Sequence, residues 1–252
     1  MKNLNLQPFE GTTGNRNQMG ISWLIGAAAV TLVLWQFSWG DYILYPFSIL
    51  ATWFHEMGHG LTALLLGGDF QKLVMLPNGS GFAVHSGSLF LGRIGRALVA
   101  AGGPLGPAFA GGLFIISSRR YKNAQICLMI LSGLLLFSVL VWVRSLFGIL
   151  AISLWGAGLL FTALKTPHWF QGWAIQFLGV QAIISTYHQR GYLFMNKAVI
   201  GGQMIISDTG QIAQQLFLPH WFWACLIILI SVGIFVQSLR IAYRDQQQNL
   251  LK

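Results

Sequence analysis

Phe54-His55-Glu56-Met57-Gly58-His59-Gly60 stands inside an apolar run over residues 42–66. Its centre reads H-E-x-x-H. On an α-helix, positions i and i+4 share one face, one turn apart, so His55 and His59 can direct imidazole nitrogens at one metal ion. Glu56 follows the first of them and points along the rim of that face, where it can take a proton from a water at the metal. Zinc is the usual ion for two imidazoles plus a carboxylate. The competing reading, two interior histidines bonding neighbouring helices, leaves the Glu56 carboxyl buried at high cost.

The run is hydrophobic enough to cross a membrane, and so is much of the chain. Of its 252 residues 55% are hydrophobic and 8% charged, against about 25% charged in a soluble domain. That leaves too little polar surface to face water. The length accommodates about six or seven spans of ~20 residues. The fold class expected is therefore an all-α integral membrane protein, a polytopic bundle with one small β-hairpin. The net charge of +9 comes from basic residues at span ends and in loops, such as Arg119, Arg120, Lys122, Arg240 and Arg244. Contact with lipid headgroups explains them, and no nucleic-acid partner is expected. Cys127 and Cys225 each sit in an apolar run and read as small core residues.

Outward from the motif, the expected organisation is a disordered polar tail (1–19), a single transmembrane domain (20–240) and a polar C-terminal tail (241–252). Residues 21–37 form a first apolar run, and Ser38-Trp39-Gly40-Asp41 reads as a tight turn. The motif span tolerates Pro46 near its start, and Gly67-Gly68 ends it. Two β-like runs, 71–76 and 81–85, flank the turn signal Pro77-Asn78-Gly79-Ser80. A hairpin edge there could receive an extended peptide by strand addition. Residues 93–116 carry Gly102-Gly103-Pro104-Leu105-Gly106-Pro107. Such a span kinks or breaks, and Gly103 and Pro104 are candidates to line a substrate site opposite the metal. Spans follow at 124–143 and 146–164. A weaker run, 169–187, has Gln171, Gln176 and Gln181; then come a loop (189–206), a short helix (207–217) and a last span (221–239).

A zinc site needs a third protein ligand. No Glu follows Glu56, and Thr62 and Leu65 stand where a longer H-E-x-x-H-x-x-G-x-x-H pattern needs Gly and His. Asp69 lies too far along the same helix, and Asp245 is in the polar tail. Asp208 lies beside a short helix able to return to the site, where it reads either as the ligand or, with Gln211 three residues on, as a helix cap. His85, His188 and His220 are reserve ligands.

H-E-x-x-H in a transmembrane run, an adjacent β-hairpin, Gly103-Pro104 in the next span and a distant Asp208 resemble the site-2-protease type of intramembrane zinc metallopeptidase, its compact bacterial and plastid branch in particular. The resemblance implies peptide-bond hydrolysis in or near the membrane, with transmembrane segments as substrates, in a bacterial inner membrane or a plastid membrane. The chain departs from that pattern twice. Ser207-Asp208-Thr209 replaces Leu-Asp-Gly, and Pro107 takes the place of the Asn in Gly-Pro-x-x-Asn. The alternative these departures imply is a metal-binding regulator or chaperone of transmembrane segments.

Overall fold

A computed structural model describes residues 21–188, 190–200 and 202–250; the tail expected at 1–19 lies outside them. In chain order the elements are α1 (Ile21–Leu34), α2 (Ser38–Leu65), β1 (Asp69–Met75), β2 (Gly81–Ser86), α3 (Arg93–Ser117), α4 (Tyr121–Val141), α5 (Leu146–Lys165), α6 (His168–His188), α7 (Arg190–Leu193), β3 (Lys197–Ile200), β4 (Gln203–Ile206), α8 (Asp208–Leu216) and α9 (His220–Leu250). Among the described residues four helices are long and apolar enough to cross a membrane: α3, α4, α5 and α9 over His220–Arg244. α2, with 28 residues, and α6, with 21, match them in length but carry polar side chains.

Those polar side chains face inward. On α6, Gln171 donates to Ala163 O, Gln176 to the Tyr243 hydroxyl and Gln181 to the Thr31 hydroxyl. Conversely, Leu140 on α4 is 78% exposed, Leu154 on α5 74% and Leu229 on α9 68%. Apolar side chains outside and hydrogen-bonded polar ones inside are the arrangement a lipid solvent selects. The fold is thus an all-α membrane bundle carrying small antiparallel β-ribbons. Cys127 is buried as expected, whereas Cys225 faces outward from α9.

α2 runs through the interior, packed on α3, α6 and the first hairpin. It begins at Ser38, so the expected 38–41 turn is helical. Gly40 is the reason: a β-carbon there would stand 1.8 Å from Leu34 O. The glycine lets the two helices abut instead of making a bend.

α2 and α3 cross through glycines. A β-carbon on Gly58 would lie 2.2 Å from Gly102 O, and one on Gly106 2.5 Å from Phe54 O. α3 stays helical through Pro104 and Pro107, where a kink or break was expected. The segment remains one unbroken helix, close-packed on α2, across the two missing amide donors.

The expected hairpin forms with Met75 opposite Gly81. Its turn takes positive φ at Gly79 (83°), and its tip is tied to α2 by the Tyr45 hydroxyl on Pro77 O and by Thr52 Oγ1 on Gly79 O, 2.6 Å. The outer edge of β1 is taken by the α4–α5 connection, through Leu73 N on Trp142 O and Arg144 N on Leu73 O. The outer edge of β2 is left facing the motif.

Residues 189–206, read as a loop, contain α7 and a second antiparallel hairpin, β3–β4, pairing Ile200 with Gln203. Helix α9 continues over residues 241–250, with a non-helical residue at Tyr243.

Candidate metal centre

The direction in which Asp208 faces is set locally at the start of α8. Ser207, not Asp208, is the N-cap: its hydroxyl accepts from Gly210 N at 3.1 Å. It also donates to Met195 O, and Thr209 Oγ1 donates to Leu193 O. α8 is thereby fastened to the segment before it, and Asp208 is free to point inward, 3% exposed.

There it meets α2 from 153 residues away. Asp208 Oδ2 lies 3.0 Å from His55 Nε2, and Oδ1 lies 3.3 Å from His59 Nε2. Among the described residues these three form a cluster that could hold a metal ion, their ligand atoms all within 4.8 Å of one another. Donors about 2.0–2.1 Å from a tetrahedral ion stand roughly 3.3 Å apart, so the spacing fits one. The tautomer fits as well. His59 Nδ1 is 2.8 Å from Val99 O. A carbonyl only accepts, so Nδ1 donates a proton to it, and Nε2, facing the carboxylate, is the nitrogen placed to bind a metal. His55 Nδ1, in contrast, is buried with no protein partner among the described residues.

Several side chains surround the cluster. Glu56 is buried, and the backbone amide of Ala83 on β2 faces its carboxylate. Tyr192 from α7 stands edge-on to His55, ring centroids 6.3 Å apart, and beside Asp208. Burial alone would push the Asp208 carboxyl up, but the adjacent His59 and His55 reverse this and hold it well below the usual carboxylate range. Burial, with the charges of Asp208 and Glu56, pushes the Tyr192 phenol up, so it stays neutral and can donate.

The cluster opens into a cavity of about 230 Å³, lined also by Gly81, Phe82, Ala83 and His85 of β2, by Arg96, Val99 and Ala100 of α3, and by α8. Gly103 and Pro104 are buried and do not line it. Gly103 lies behind His59 instead: a β-carbon there would stand 2.1 Å from His59 Nε2. Asp69 is exposed at the start of β1, paired with Ser86. Of the reserve histidines, His85 lines the cavity, His220 bonds Phe194 O, and the side chain of His188 lies outside the described residues.

Tyr192 and Arg96 were not singled out in the sequence. Neither belongs to a motif, and each reaches the cavity only through the path of the chain. No curated protein and no solved structure matches this chain. A family model described as Peptidase M50B-like matches residues 23–238. With a buried His55/His59/Asp208 cluster in a membrane bundle, the chain belongs to the Peptidase M50B-like family, which is of site-2-protease type.

Proposed function

We propose that this protein is an intramembrane zinc metalloendopeptidase, residues 20–240 acting as one transmembrane unit between polar tails. The observation that carries the reading is the convergence of His55, His59 and Asp208 in a buried cavity that Glu56 also lines. His55, His59 and Asp208 would hold the ion, His59 oriented by the Val99 carbonyl. When bound, zinc would acidify a water and polarise the scissile carbonyl.

The remaining work falls to the chain. The open edge of β2 takes the substrate backbone as an added strand, which presents an unwound stretch of a transmembrane segment beside Glu56. Glu56 accepts the proton of the attacking water at its carboxylate, then delivers it to the leaving amine nitrogen. The Ala83 amide keeps that carboxylate aimed at the cavity. Gly103 and Pro104 serve the substrate site indirectly, by letting α3 approach until His59 is pinned. The setting is a multi-pass position in a bacterial inner membrane or a plastid membrane.

A second reading, a metal-binding regulator or chaperone of transmembrane segments, is favoured by Pro107. It is buried and has no donor where the family pattern has a substrate-binding Asn. One experiment separates the two. Glu56→Gln should retain zinc, trap membrane-protein partners in cells and lower cleavage about 10²–10⁴-fold. If parent and variant hold the same partners at the same levels and neither yields fragments, the peptidase reading fails.

A further inference from the structure

The cavity has a charged residue that the proposed chemistry does not use. Arg96 lines it, one turn into α3. Its neighbour Arg93 has a plain structural role: it donates to Gln214 O near the C-terminus of α8 and lies 4.7 Å over the Phe217 ring. Arg96 has less to hold. Its Nε donates to Gln215 Oε1 at 3.0 Å, which fixes the plane of the guanidinium. Its two terminal amino groups have no partner among the described residues, and the side chain is exposed at the cavity.

The surroundings make this an anion position. Among the described residues Glu56 and Asp208 are the only acidic ones lining the cavity, and a divalent ion would balance both, leaving Arg96 as the uncompensated charge. The N-terminus of α3 adds its own positive end. The α8 wall carries Gln211, Gln214 and Gln215, neutral groups that do not compete for the guanidinium as carboxylates would. His85 of β2 and this wall line the same cavity.

We propose that Arg96 is a specificity residue, receiving the carboxylate of an Asp or Glu in the substrate segment next to the scissile bond. The inference rests on the peptidase reading for the bond that is cut, but its test is read in binding. A planar guanidinium with both terminal nitrogens free suits a carboxylate in bidentate geometry.

The test uses the full-length zinc-loaded protein with Glu56→Gln, in phosphatidylcholine nanodiscs. The probes are fluorescent single-span peptides carrying one Asp, Asn or Lys beside the apolar span. The Asp probe should bind about tenfold tighter than the Asn probe, with Lys weakest. Arg96→Gln should bring Asp and Asn within about twofold, Arg96→Lys should keep part of the preference, and Arg96→Glu should make Lys the tightest. Equal zinc contents confirm intact sites, and the Lys variant serves if the others misfold. Equal affinities of the three probes for the parental Arg96 protein would overturn the proposal. So would an unchanged order in the Gln and Glu variants, or a change only in retained phosphatidylglycerol when that lipid is included, which would assign Arg96 to lipid headgroups. If the order holds while the protein with native Glu56 cuts none of the probes, the peptidase reading falls and this one stands.

Discussion

Gly103→Ala tests whether the Gly-Pro stretch of α3 serves the metal centre. The added β-carbon would stand 2.1 Å from His59 Nε2 and 2.3 Å from its Cε1. Ordinary contact begins near 3.4 Å, so the ring must retreat by about 1.3 Å. An imidazole can swing that far at modest cost, but not while keeping both its hydrogen bond to Val99 O and a bond of about 2.0–2.1 Å to zinc. Losing a residue that merely orients a ligand costs about 10–100-fold in metal affinity. Displacing the ligand itself should cost at least about 100-fold. Zinc-free stability should change little, since the overpacking term of about 1–3 kcal/mol is offset in part by the helix propensity of alanine, worth about 1 kcal/mol over glycine. Competition with a chromophoric chelator gives the affinity, and unfolding in mixed micelles gives the stability. Gly133→Ala is the control, because a β-carbon there meets nothing within 4 Å. His59→Ala/Gly103→Ala should bind zinc no worse than His59→Ala, the non-additivity expected of groups in contact. A Gly103→Ala protein with parental zinc affinity would refute the reasoning.

The other ligand predictions are read in the same metal assay. Asp208→Ala should lower zinc retention to that of a two-histidine site, whereas Asp69→Ala, which alters an exposed strand end, should leave it at the parental level; the reverse pattern removes Asp208 from the site. Ser207→Ala should destabilise α8 by about 1 kcal/mol and weaken zinc about tenfold with every ligand still present, because the cap aims Asp208. Unchanged affinity there would mean that packing of α8 on α3 and α9 suffices.

What the sequence made legible follows from how far each constraint reaches along the chain. The H-E-x-x-H face needs five residues of helix, and the first hairpin needs a turn between two short runs; both are local and both are found. The second hairpin was also local. Gly201-Gly202 separates Val199-Ile200 from Gln203-Met204-Ile205-Ile206, a two-residue glycine connection between two apolar runs. The nearby Arg190 and Lys197 obscured it. Asp208 shows a different limit. Whether it caps α8 or faces the histidines turns on a helix start placed one residue earlier, finer than sequence patterns resolve. Ser207 takes the cap, and the carboxylate that a cap would have consumed is turned toward α2. Gly103 was legible as a residue that lets helices approach closely, but not as the floor beneath His59. That depends on the crossing of α2 and α3, which is set jointly by Gly58, Gly102 and Gly106. The departure at Pro107 belongs to the same crossing. The proline sits one residue beyond Gly106, on the buried face of a helix held against α2, so packing rather than substrate contact is what the structure asks of that position.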